Sequence, residues 1–192
     1  MRKLFFLGII ALVVIAIAGC YSSQHNIKKD LNVNTERVDS KSSIAILIPP
    51  DGSFISTSRQ DKNFNVDVPD ILKEEIIAYG SGVLVAEKIK HILITKYDNI
   101  TIIKDKNNIT TDYIIIPNIY HWEERSTEWS GIADKLGIKI QLYNVRTDKI
   151  VNEINYYAEC GWLDVDSRTE FLMDHADFHK GIYYLVGLSK GN

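Results

Sequence analysis

The chain predicts an α/β (α+β) fold: a single domain with a β-α-β unit, a β-meander and a C-terminal helix, its mixed sheet covered by helices on one face. Three observations predict it. Val85, Ile89, Ile92 and Leu93 recur at helical spacing, with Glu87, Lys88 and His91 turned outward. Ile138, Ile140 and Leu142 alternate with Lys139, Gln141 and Tyr143, the period of a half-buried strand. Ser167-Arg168-Thr169-Glu170 reads as a capping box opening a last apolar stripe of Phe171, Phe178, Ile182 and Leu185.

The elements follow in order. Ile44 to Ile48 is a short apolar run closed by Pro49-Pro50-Asp51-Gly52, hence a buried strand and a turn. Residues 53–67 are polar and read as a loop. Pro69 to Tyr79 reads as a short helix with Pro69 in its first turn. Gly80-Ser81-Gly82 opens the first long helix, with Ser81 as its N-cap. Asn99 to Lys104 and Asp112 to His121 are strands, and Pro117 marks an edge or a bulge in the second. Leu136 to Val145 and Ile150 to Cys160 pair around a turn at Arg146-Thr147-Asp148-Lys149. Gly187 ends the last helix.

The N-terminus has its own chemistry. Arg2 and Lys3 precede an apolar run of 15 residues, Leu4 to Ala18, which suits a signal segment and is short for a bilayer-spanning helix of roughly 20. The run ends in Ile17-Ala18-Gly19-Cys20, which resembles the lipobox of bacterial lipoproteins. Small residues let a protease reach the backbone, the Cys20 thiol takes a diacylglyceryl group, and its freed amine takes a further chain. Several acyl chains anchor stably where one is marginal. Tyr21 stands where an aspartate would resemble an inner-membrane retention signal, so the resemblance implies the outer membrane with the domain facing the periplasm. The expected organisation is a signal peptide over 1–19, the lipidated cysteine and a flexible tether over 20–43, and a globular domain over 44–192. The polar tether would span roughly 25 Å and add nothing to the fold.

Composition excludes some functions. Once Arg2 and Lys3 leave with the signal, 20 basic residues face 25 acidic ones, a net charge of −5. That is a poor basis for nucleic-acid binding, which needs a basic face, and it leaves membrane attachment to the lipid. With Cys20 acylated, Cys160 has no intramolecular partner. It reads as a small buried hydrophobe or as a reactive thiol.

The segment Asp112-Tyr113-Ile114-Ile115-Ile116-Pro117, then Ile119-Tyr120-His121-Trp122-Glu123-Glu124-Arg125, then Ser126-Thr127-Glu128-Trp129-Ser130-Gly131, with the meander from Ile138 to Lys149 and Gly80-Ser81-Gly82 before the helix, is similar to the bacterial lipoproteins catalogued as domain of unknown function 4823. The resemblance covers about residues 44–188. More distantly the layout resembles periplasmic α/β domains: the N-terminus of the Tol-system propeller protein, the curli secretion lipoprotein, and lipoprotein activators of peptidoglycan synthases. The close family implies no catalytic residue; the distant ones imply protein–protein work beneath the outer membrane.

The candidate binding surface is Trp122, Glu124, Arg125 and Trp129, because large aromatics with arginine anchor interfaces. Alternation puts His121, Glu123 and Arg125 on one strand face and Trp122 and Glu124 on the other. The competing reading places Trp122 and Trp129 in the core beneath a solvated charged hairpin. His175 and His179 have the i, i+4 spacing of a metal pair, but no third ligand stands at motif spacing, so they read as packed or solvated. Gly80-Ser81-Gly82 lacks the Lys-Ser/Thr ending of a phosphate loop and reads as a helix entry. No cofactor, metal or catalytic group is implied. The expected function is a non-catalytic binding or assembly module in the envelope. The alternatives are an enzyme acting on envelope polymers and a secretion-pore subunit.

Overall fold

The computed structural model describes residues 24–29, 36–57, 73–107, 110–124, 134–159 and 169–188. Its strands are β1 (Gln24–Lys29), β2 (Ile44–Leu47), β3 (Ser53–Thr57), β4 (Lys73–Ile77), β5 (Ile100–Ile103), β6 (Tyr113–Glu123), β7 (Lys135–Asn144) and β8 (Lys149–Glu159). Helix α1 (Ser81–Leu93) lies between β4 and β5; a 3-10 helix (Thr169–Met173) and α2 (Ala176–Leu185) follow β8. The main sheet has the order β1-β8-β7-β6-β2-β5, and β3 and β4 form a second, two-stranded sheet. β2 runs parallel to both β5 and β6, whereas β6, β7, β8 and β1 are antiparallel. This is the predicted α/β class with a mixed sheet.

Both helices cover one face. α1 buries Val85, Ala86, Ile89, Ile92 and Leu93, the expected stripe plus Ala86. α2 buries Phe178, Ile182 and Leu185. Opposite them stand Ile46, Ile115, Ile138, Ile140 and Leu142, all fully buried. The Tyr156 ring meets Phe178 edge-on at 5.0 Å and its hydroxyl donates to the Leu172 carbonyl at 2.6 Å. Asn152, also buried, donates to the carbonyls of Tyr184 and Leu185 at 3.0 and 2.9 Å. A strand side chain thereby satisfies orphan acceptors at the end of α2. Gly187, at φ 75°, closes that helix as expected.

The structure revises several expectations. Residues 53–57 and 73–77 are strands rather than loop and helix. Each runs only five residues, too short for its period to show against polar neighbours. Ser81 does not cap α1: its hydroxyl is buried and accepts from the Gly52 N–H at 2.8 Å. Asp51 caps instead, its carboxylate accepting from the N–H groups of Gly80 at 3.0 Å and Gly82 at 2.9 Å. A cap supplied from another loop leaves no local signature. The single C-terminal helix is broken, with the 3-10 turn first and then α2, N-capped by His175 accepting from Asp177 N–H. Pro117 sits beyond Ile115, where β2 stops pairing with β6, so among the described residues one edge of β6 has no strand partner in the main sheet there. A register shift follows between Ile119 and His121. Edge and bulge are both present.

The largest revision is at the N-terminal side. The expected tether contains β1, which pairs with β8 from Gln24↔Glu159 to Lys29↔Ile154. It also contains Val38, which is buried in the core. A six-residue edge strand of Gln, His, Asn, Ile and two Lys has no apolar period because its ladder comes from the backbone.

Candidate functional site

Register defines one end of the sheet. Gln24 pairs with Glu159, Glu159 with Lys135, and Lys135 with Glu123, so the start of β1 and β7 and the end of β6 and β8 lie level. The 3-10 turn joins this end through the Thr169 hydroxyl, which donates to the Glu123 carbonyl at 2.8 Å. So does the entry to α1. A Cβ on Gly52 would lie 2.6 Å from that of Trp122, one residue from the end of β6, and the Asp51 cap ties Gly80 and Gly82 to the same place. Gly82 has no room for a side chain, since a Cβ there would lie 2.2 Å from the Pro49 carbonyl oxygen. The Asp51 carboxylate occupies the positive end of α1, the position a phosphate would need. The segment is a helix entry, as the sequence implied.

On the face turned away from α1 and α2 the bulge sets Tyr120 and His121 against Gly137. A Cβ on Gly137 would lie 2.3 Å from the Tyr120 ring, so the ring rests on the glycine backbone of β7 and reaches Asn155 on β8 with its hydroxyl at 2.8 Å. His121 Nε2 lies 3.1 Å from the Glu123 carboxylate, and Lys135 Nζ lies 3.9 Å from it. Burial, Glu159 and then Glu123 and Tyr120 push the Tyr157 hydroxyl above its ordinary value. The face is a ladder of cross-strand polar contacts. Glu153 extends it, accepting from Lys139 at 2.8 Å and Gln141 at 2.5 Å.

The sequence-predicted surface divides. Trp122 is 2 % exposed and packs in the core, so burial removes it from the binding set. Glu124 is exposed at the end of β6. Arg125 and Trp129 lie outside the described residues, as do Cys20 and Cys160. The alternation holds where it is visible: His121 pairs with Gly137 on the polar face, Trp122 with Leu136 in the core. Sequence reasoning missed what this end does expose. Tyr79 is 86 % and Phe171 49 % accessible, and Ile76, Ile77, Val83 and Leu84 are exposed too. Val83 and Leu84 stood just off the helical stripe, which was the available signal. The apolar stripe of the sequence includes Phe171, but the 3-10 turn carries it outward while burying Leu172 and Met173.

The structure places His175 and His179 in different surroundings. His175 caps α2 from an exposed position. His179 Nε2 is buried without a hydrogen-bond partner among the described residues. No group of three His, Cys, Asp or Glu among the described residues is placed to hold a metal. Burial first, then the nearby Lys88 and His91, holds the His179 imidazole below its ordinary value of 6.5. The unfolded chain therefore binds a proton near that value while the folded chain resists it, so stability is full above it and declines as pH falls through the depressed value. The urea midpoint is expected to drop between pH 7 and pH 5.5, and His179→Leu should flatten that drop. An unchanged slope in the variant would contradict the assignment.

Neither a protein-family model nor a curated protein sequence matches the chain, so the resemblance to family 4823 rests on the quoted residues alone. Two solved structures of one dodecamer share its fold. The PelC dodecamer from Paraburkholderia phytofirmans aligns over 88 % of this chain and 100 % of its own at TM-score 0.55 and 9 % identity. A single-substitution variant of that dodecamer aligns over the same shares at TM-score 0.50 and 8 % identity. A Xanthomonas campestris protein of family DUF330 aligns over 83 % of this chain and 87 % of its own at TM-score 0.43 and 9 % identity. This chain has the fold seen in the subunits of the PelC dodecamer.

Proposed function

We propose that this chain is an envelope lipoprotein, acylated on Cys20 and held on the periplasmic face of the outer membrane, whose domain is a non-catalytic assembly module that associates with copies of itself. The observation that carries this reading is Ile17-Ala18-Gly19-Cys20, which ends an uncharged apolar run and stands four positions before β1. Self-association draws on the shared fold, since PelC with the same architecture is a dodecamer. The described residues contain no helix long and apolar enough to cross a membrane.

Cys20→Ser should abolish labelling by radioactive palmitate or glycerol and shift the protein from the outer-membrane fraction to the soluble periplasmic one. Retained labelling would overturn the acylation. Light scattering of the soluble variant tests assembly separately. A mass several times that of one chain is expected, and a strict monomer at all accessible concentrations would overturn it.

A further inference from the structure

We propose that the Gln24 end of the sheet is seated on the membrane surface, with Tyr79 and Phe171 entering the headgroup region beside the anchor. The inference rests on the acylation of Cys20 and adds the orientation of the domain and the side chains that touch lipid.

The first argument is reach. Cys20 stands four peptide steps before Gln24, and four extended residues span at most about 14 Å. A tether running to residue 43 would have left every orientation open. With β1 in the sheet, the acyl chains lie within that distance of the level marked by Gln24, Glu159, Lys135 and Glu123. The opposite end, with the turn from Val145 to Asp148, stands nine residue steps farther along β7, roughly 30 Å away. The anchor thus keeps the Gln24 end near the bilayer and leaves the far end free to stand away from it.

The second argument is independent of the anchor. Of the large apolar side chains the fold leaves exposed, Ile76, Ile77, Tyr79, Val83, Leu84 and Phe171 are carried by elements that meet at this end. Ile77 and Tyr79 flank Ala78, whose N–H donates to the Gly52 carbonyl at 2.8 Å. Val83 and Leu84 occupy the first turn of α1 above the Asp51 cap. Phe171 lies two residues past Thr169, which is bonded to the end of β6. Exposed apolar groups gathered on one side of a folded domain mark an interaction surface. An aromatic ring with a polar tip, such as Tyr79, suits the membrane–water boundary, where one end is apolar and the other wet. The mature net charge of −5 gives no attraction to anionic lipid, so apolar contact and the acyl chains must hold this seat.

The test uses the full mature acylated protein in vesicles of phosphatidylethanolamine and phosphatidylglycerol. In a Cys160→Ser background, where acylation consumes the Cys20 thiol, single substitutions Tyr79→Cys, Phe171→Cys and Arg146→Cys each carry an environment-sensitive dye. The mass of the N-terminal peptide confirms acylation in each sample, which separates failure of the anchor from failure of the orientation. The dyes at 79 and 171 should shift to the blue on vesicle binding and be quenched by a bilayer-borne quencher; the dye at 146 should do neither. Equal responses at all three positions in acylated protein would overturn the proposal. So would a blue shift at 79 and 171 without vesicles that grows with protein concentration, because a second copy would then be covering these residues.

Discussion

A chain beginning at Lys41 should melt about 6–12 °C below one beginning at Asn34, although both lack β1. The difference isolates residues 34–40, of which 36–40 are described. Val38 is buried, its N–H donates to the Val186 carbonyl at 3.1 Å, and its carbonyl accepts from the Tyr97 hydroxyl at 3.3 Å. Glu36 accepts from the Tyr113 hydroxyl at 2.5 Å and from Asn144 at 3.0 Å. Burial, and then Glu36 itself, push the Tyr113 hydroxyl up to about 12. Gly187 ends α2 against this segment so closely that a Cβ there would lie 2.6 Å from the Cα of Arg37. Burying a valine contributes ~1.5–3 kcal/mol, and each partner left unsatisfied costs ~1–3 kcal/mol. A total near 3 kcal/mol follows even after water reaches Tyr113 and Asn144. Thermal denaturation of the two chains decides the matter. Equal melting temperatures would mean that residues 36–40 only rest on the domain, as the tether reading of 20–43 implies.

The parts of the fold legible in the sequence are the short, nearly continuous apolar runs of β2 and β5 and the elements whose burial is periodic over ten residues or more. α1 and the β7–β8 pair are of the periodic kind: the alternation from Leu136 to Asn144 is also the burial pattern. The turn after Asn144 was legible from its polar residues, and Asp148 adopts the left-handed conformation that such a residue tolerates, φ 56°. What the sequence hid depends on contacts between distant residues. Asp51 caps a helix 31 residues away from its own position. Asn152 closes the end of α2 from a strand. β1, β3 and β4 are short strands held by backbone pairing, and their side chains carry no period. At the candidate site the same rule holds. Alternation separated Trp122 from His121 and Glu123 correctly, but only packing against Gly52 and Ile119 shows which side is the interior. Tyr79 and Phe171 are exposed because of a helix entry and a 3-10 turn whose geometry no local pattern specified.

Trp122→Ala should cost ~3–5 kcal/mol of stability, the range for truncating a buried aromatic, and lower the melting temperature by about 10 °C or more. The side chain is 2 % exposed. Its backbone pairs with Leu136 of β7, which is fully buried, and the chain bends over it at Gly52, where no Cβ fits beside those of Trp122 and Ile119. Such a site collapses poorly on truncation, because a β-ladder on one side and the loop tied down by Ser81 and Asp51 on the other hold its walls apart. The neighbouring Glu124 is exposed, and Glu124→Ala should change stability by no more than ~0.5 kcal/mol. The pair of variants separates the two roles adjacent residues play at the end of β6. If Trp122 anchored a partner instead, Trp122→Ala would keep its melting temperature and lose self-association in light scattering. The burial predicts the reverse order: destabilisation first, with any loss of assembly following only as the domain unfolds. A Trp122→Ala protein that melts with the parent would overturn the core assignment and return this residue to the surface where its composition first placed it.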